Sequence, residues 1–195
     1  MYTGFTCVNL NGSNRLWHGT LPKELMPDSD LFSRLWNLHP EIFHTVKILG
    51  KIVETPRWQQ AYNKSYQYTG SRNNALPVPS ELNPYWEWAI TSIDPRLNGL
   101  LLNWYDGALG HYIGKHRDSI HNMIEGAPIV TISFGEERVF RMRPWKVDGN
   151  CKNFVVKNGS VIIMPYQINQ CWTHEIVKSK KYIGKRISLT LRAFE

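Results

Sequence analysis

The chain has 195 residues, 42% of them hydrophobic and 20% charged, a globular mixture that argues against long disorder and allows a core needing no disulfide or metal merely to fold. Lys and Arg number 23 against 16 Asp and Glu, a formal charge of +7 that admits a polyanionic partner without requiring one. No apolar run reaches the about 18 residues of a membrane span, Met1–Leu10 lacks a secretory pattern, and three cysteines without a CxxC pair argue against a disulfide framework or structural zinc, so an intracellular protein, cytoplasmic or nuclear, with no membrane partner is expected.

In chain order, the first third reads as irregular apart from a short helix over Asp28–Leu38, where Leu31, Leu35 and Leu38 fall at helical spacing behind acidic caps. The Pro- and Asn-rich stretch from Asn74 to Pro84 marks a loop. Asn83 is placed to cap the next helix with Pro84 at its first position, and Trp86, Ala89, Ile90 and Ile93 give that helix one apolar face. From Leu100 the pattern changes to short strands: Leu100–Tyr105, Ile129–Phe134, Val139–Met142, Phe154–Lys157, Ser160–Met164, Cys171–Ile176 and Arg186–Phe194. Asn158-Gly159 has the residue types of a type I′ turn, so a hairpin is expected between the strands on either side of it. So many strands at short spacing predict a mainly β sandwich or jelly roll with flanking helices.

His116-Arg117-Asp118 is the tripeptide with chemistry in it. In extended backbone, residues two apart point the same way, so an imidazole and a carboxylate can meet. His174, on a later strand, would complete a two-histidine, one-carboxylate site of the kind that leaves positions open on Fe(II). Taken alone the tripeptide also reads as a surface ion pair, and His39-Pro40-Glu41 is a second His-x-acid match, read as accidental. The last strand alternates cleanly, with Ile187, Leu189 and Leu191 on one face and Arg186, Ser188, Thr190 and Arg192 on the other. Two guanidinium groups on one face could grip a small dicarboxylate, with Asn103 and Tyr105 adding hydrogen bonds.

The ordered set Leu101-Leu102-Asn103-Trp104-Tyr105, His116-Arg117-Asp118, Ala127 through Gly135, Asn158-Gly159-Ser160, His174 and Arg186-x5-Arg192 resembles the AlkB family of Fe(II)- and 2-oxoglutarate-dependent dioxygenases. Upstream, Leu49-Gly50-Lys51, Thr55-Pro56-Arg57 and Tyr66-Gln67-Tyr68-Thr69-Gly70 look like that family's nucleotide-recognition region. The likeness covers roughly residues 45–195 and implies a double-stranded β-helix core over 100–195, a recognition region with a supporting helix over 45–99, and an N-terminal extension or covering segment over 1–44. It implies Fe(II) on His116, Asp118 and His174, the distal carboxylate of 2-oxoglutarate on Arg186, its iron-chelating end on Arg192, and assistance from Asn103 and Tyr105. It also implies the use of O2 to demethylate alkylated bases in DNA or RNA oxidatively, with formaldehyde, succinate and CO2 as products.

A base must leave the duplex to reach such a site. Tyr66 or Tyr68 could stack on it, Ile48 or Leu49 could fill the gap it leaves, and Lys47, Lys51 and Arg57 could hold phosphates. Nucleic acid is thus the expected partner, and a monomer the expected state. Two features depart from the family: Ser119-Ile120-His121 stands where DNA-repairing members carry acidic residues, and Ser188 where the prototype has Asn. The first motivates an alternative, a 2-oxoglutarate-dependent hydroxylase of a protein side chain or small metabolite. A nucleic-acid-binding module with a vestigial site is the third reading.

Overall fold

The structure is a computed structural model that describes residues 2–68 and 70–195; the side chains of Ile48 and Tyr68 lie outside the described set. The first third is not irregular. It opens with a hairpin of β1 (Thr6–Asn11) and β2 (Asn14–Thr20), followed by α1 (Ser29–Trp36), whose first turn is capped by the Asp28 carboxylate accepting from Leu31 N. Two small hairpins flank a longer strand: β3 (Thr45–Ile48) with β4 (Lys51–Glu54), then β5 (Trp58–Tyr62), then β6 (Tyr66–Tyr68) with β7 (Ser71–Asn73). These early strands are short and mixed in polarity, so no sustained alternation betrays them.

The helix α2 (Asn83–Ser92) follows a 3₁₀ turn over Ser80–Leu82 without a break. Asn83 is therefore itself helical and its side chain caps nothing; the capping residue is Leu82. Tyr85 and Ala89 are the buried residues of this helix, while Trp86, Ile90 and Ile93 are half-buried. The remaining elements are β8 (Gly99–Asp106), β9 (Ile113–His116), β10 (Ile129–Gly135), β11 (Arg138–Pro144), β12 (Lys152–Val156), β13 (Ser160–Met164), α3 (Tyr166–Cys171), β14 (Trp172–Ile176) and β15 (Lys185–Arg192). Cys171, expected in a strand, ends α3.

Among the described residues the strands build a seven-stranded sheet in the order β1-β2-β13-β10-β15-β8-β5, and a four-stranded sheet in the order β12-β11-β14-β9. All pairings in both are antiparallel. The Asn158-Gly159 turn does not close a hairpin, because β12 lies in the small sheet and β13 in the large one. Gly159 has φ +77° while Asn158 stays at negative φ, the type II pattern, and Lys157 O accepts from Ser160 N. The turn carries the chain from one sheet to the other.

Two apolar layers follow from the strand alternation. Leu100, Leu102, Trp104, Ile187, Leu189 and Leu191 pack on the outer face of the large sheet against Leu35, Trp36, Tyr85 and Ala89 of the helices. Phe140, Met142, Phe154, Ile162, Met164 and Trp172 fill the space between the sheets. With both faces of β15 covered, its polar residues have nowhere to go but the interior.

Candidate active site

Each strand contributes by its alternation. On β8, Asn103 and Tyr105 point between the sheets; on β15, Arg186, Ser188, Thr190 and Arg192 do the same. Register sets Tyr105 opposite Arg186 and Asn103 opposite Ser188. On the small sheet, His174 of β14 is the cross-strand partner of His116 at the end of β9, and their rings lie 4.3 Å apart. Asp118 follows two residues later. Its carboxylate oxygen Oδ1 lies 3.6 Å from His116 Nε2 and 3.7 Å from His174 Nε2. Among the described residues this is the one group of three or more His, Cys, Asp or Glu side chains close enough to share an ion, with ligand atoms within 4.8 Å of one another. His39 instead stacks on Trp58, with ring centroids 4.4 Å apart.

The protonation states suit a metal. Burial pushes His174 down to about 3, aided by the His116 and Arg192 charges, so its imidazole is neutral. Burial alone would raise Asp118, but the Arg192 guanidinium and then the two histidines hold its carboxyl well below the usual carboxylate range. Two imidazoles and a carboxylate are the donor set of non-haem iron sites.

Arg192 has a partner that sequence reading missed. Its Nε and Nη2 donate to Asp118 Oδ2 at 2.9 and 2.6 Å, and its guanidinium lies 4.5 Å from the Tyr66 ring centre. Asn169 of α3 was missed as well. Its Oδ1 accepts from Asp118 N at 2.8 Å and its Nδ2 donates to Asp118 O at 3.0 Å, so one buried amide fixes the backbone of the carboxylate residue from both sides. No local pattern flags an asparagine 51 residues away.

His116, Asp118, His174 and Arg192 border a cavity of about 510 Å³ including its open mouth. Arg186 is fully buried there. Nη2 donates to Ser133 Oγ at 2.9 Å, and the guanidinium sits 5.0 Å from the Tyr105 ring centre. Its Nε and Nη1 have no hydrogen-bond partner among the described residues. Burial pushes Arg186 down to about 10, which still leaves it a cation. A buried charge with two orphaned donors fits a bound carboxylate, because uncompensated burial of this kind is strongly destabilising.

The remaining sequence candidates divide. Tyr66 is buried in the cavity wall and its hydroxyl accepts from Ser119 N at 3.2 Å. Arg57, expected with Lys47 and Lys51 at a phosphate backbone, is buried in the same wall, donating to Asn103 Oδ1 at 2.8 Å and to Gln59 Oε1 at 2.9 Å. Leu49 stands outside the cavity on the two-residue turn between β3 and β4, where Leu49 and Gly50 have φ +47° and +81°. It is 99% exposed. The expectations for the side chains of Tyr68 and Ile48 lie outside the described residues.

An antiparallel double-stranded β-helix with a His-x-Asp and distant His cluster beside a cationic cavity defines a non-haem iron oxygenase by its architecture. Residues 36–192 match the 2OG-Fe(II) oxygenase superfamily, and the chain belongs to that family. Its cofactors are those of the family: Fe(II), 2-oxoglutarate as co-substrate, and O2. Among curated proteins it is similar to DNA oxidative demethylase ALKBH2 of Homo sapiens, 28% identical over 157 residues that cover 75% of this chain and 60% of that protein. The Mus musculus protein of the same name is 27% identical, with 65% of its length covered. The chain thus spans about three fifths of the curated relatives it matches. Among solved structures, that of OsALKBH1 superposes with a TM-score of 0.60 at 12% identity, covering 96% of this chain and 100% of the other. A 2OG-Fe(II) oxygenase family oxidoreductase from Burkholderia pseudomallei gives a TM-score of 0.56 at 16% identity, covering 91% and 84%. These two likenesses bear on the fold. Among the described residues no helix is long and apolar enough to cross a membrane.

Proposed function

We propose that the protein is an AlkB-type dioxygenase that demethylates alkylated bases in DNA or RNA. The observation that carries this reading is the His116–Asp118–His174 cluster opening onto a cavity where Arg186 holds two orphaned donors. In this reading His116, Asp118 and His174 hold Fe(II), which when bound supplies the activation of O2. Arg186 takes the distal carboxylate of 2-oxoglutarate, with Tyr105 beneath it and Ser133 fixing its tilt. Arg192 holds Asp118 ionised and oriented, and remains a candidate for the near end of the co-substrate. Asn103 stays tied to Arg57 in the wall beside it.

Of the two oxygen atoms, one ends in succinate as 2-oxoglutarate loses CO2, and the other enters a C–H bond of the N-methyl group. The N–C bond of the resulting hydroxymethyl breaks, formaldehyde leaves, and the ring nitrogen recovers its ordinary protonation. The exposed tip at Leu49 supports a nucleic-acid substrate. A leucine at positive φ, flanked by exposed Lys47 and Lys51, carries strain of about 1–2 kcal/mol without burying anything in the free protein. Such a wedge fits the gap left by an extruded base, with the lysines beside the phosphates. Similarity to proteins named DNA oxidative demethylase supports the same substrate class. Three cysteines without a disulfide support a reducing, intracellular setting.

The test is incubation with Fe(II), ascorbate and 2-oxoglutarate against oligonucleotides carrying single methylated bases, scored by mass spectrometry. Loss of the methyl group with stoichiometric succinate is expected. Succinate release stimulated by a peptide or metabolite, with every oligonucleotide untouched, would establish the alternative hydroxylase.

A further inference from the structure

The charge lining the site has a chemical consequence for the base it accepts. The cavity beside the three candidate ligands continues past His116 and Asp118 into an open groove lined by Lys115, Arg117, Ser119 and Trp145. Across both, the described lining residues include five Lys or Arg side chains: Arg57, Lys115, Arg117, Arg186 and Arg192. They include two carboxylates, and each is already engaged. Asp118 is held by Arg192, and Glu175 accepts from Arg143 at 2.9 Å with Arg141 at 3.9 Å. A divalent ion and a doubly ionised keto-diacid cancel one another, so loading the site does not remove the excess positive charge.

Two amide acceptors of the lining are committed. The amide oxygens of Asn103 and Asn169 accept from Arg57 and from Asp118 N. Ser119 Oγ accepts from His121 N at 3.4 Å, which leaves its own hydroxyl proton to donate. The described lining thus offers cations and no uncommitted carboxylate where a positively charged base would need an anion.

N-methylated bases divide along that line. N3-methylcytosine and N1-methyladenine are cations at neutral pH and present an exocyclic amino group beside the methylated nitrogen. N3-methyluracil, N3-methylthymine and N1-methylguanine are neutral. We propose that this site selects neutral N-methylated bases and discriminates against cationic ones. The inference rests on the demethylase reading above and narrows it.

N3-methyluracil and N3-methylcytosine provide the decisive pair, because they differ only at C4. Each is placed at the same position of one oligonucleotide. Binding to the Fe(II)- and 2-oxoglutarate-loaded protein is measured without oxygen by fluorescence anisotropy, and kcat/KM with oxygen by mass spectrometry. A preference for N3-methyluracil of about tenfold or more in both is expected from the uncompensated positive charge of the lining. Ser119→Asp supplies an acceptor with negative charge and is expected to shift the ratio about tenfold toward N3-methylcytosine. The exposed substitution Lys115→Gln shifts it the same way by a smaller factor and keeps the test open should Ser119→Asp fail to fold. Equal or faster turnover of N3-methylcytosine by the unmodified protein would overturn the selectivity while leaving the demethylase reading intact. Loss of methyl from neither oligonucleotide, nor from the wider panel, would overturn that reading and this inference with it.

Discussion

Replacing Arg186 with Met tests the co-substrate site through two opposite effects. In the ligand-free protein the guanidinium is fully buried with Nε and Nη1 unpartnered among the described residues. Each unsatisfied buried donor costs about 1–3 kcal/mol. The substitution relieves that cost and gives up the Ser133 hydrogen bond and the Tyr105 contact, worth about 2–5 kcal/mol together. The two sides nearly cancel, so the ligand-free variant should unfold within a few degrees of the parent. Binding behaves differently. Two charge-assisted hydrogen bonds at about 1.5–3 kcal/mol each disappear, which weakens 2-oxoglutarate by roughly two to four orders of magnitude. Thermal unfolding with Mn(II), with and without 2-oxoglutarate, reads both effects. At one hundred times its Kd the ligand stabilises the parent by about 2.7 kcal/mol, or roughly 5–11 °C for a chain of this size. The variant should show almost no shift at that concentration. A shift of parental size would refute the assignment of Arg186 to the co-substrate.

Asn169→Leu removes both hydrogen bonds to the Asp118 backbone and should destabilise the fold by about 2–5 kcal/mol; a weaker, altered Co(II) absorption spectrum in the variant would separate loss of ligand positioning from loss of stability alone. Leu49→Gly releases the strain at positive φ, so Tm should hold or rise slightly, while kcat/KM on a duplex substrate falls more than on the same lesion in a single strand. An equal fall on both would remove the wedge role. Burial raises the Tyr62 and Tyr85 hydroxyls to about 12, so their stabilisation is complete below the unfolded value near 10 and is lost as pH climbs from there toward 12. Urea midpoints across that window should drop, and the drop should shrink in Tyr62→Phe.

The parts of the site legible in sequence were those fixed by local alternation. His116 and Asp118 share a side because they are two apart, and Arg186 to Arg192 share a face for the same reason. The apolar alternates Ile187, Leu189 and Leu191 meet the helices, as their spacing predicts. What local pattern does not encode is which sheet a strand joins. Asn158-Gly159 has hairpin chemistry, yet Val156 and Ser160 diverge because Val156 pairs with Arg138 on β11 and Ser160 with Thr20 on β2. In sequence Arg57 groups with Lys47 and Lys51 as a phosphate-holding cation because it lies in the same stretch; its burial depends on two amide oxygens, from Asn103 and Gln59, that meet it only after folding. The Arg192–Asp118 pair spans 74 residues of sequence and was invisible for the same reason.

The position of β15 in the large sheet bears on how the protein comes to hold iron. This strand is the last in chain order, yet it sits between β10 and β8, well inside the sheet. Its Arg192 secures the carboxylate, and the two histidines meet only when β14 zips onto β9. Such distant pairings require long loops to close and are slow to form. The three ligands meet only where these distant strands pair, so a chain lacking those pairings does not hold them together.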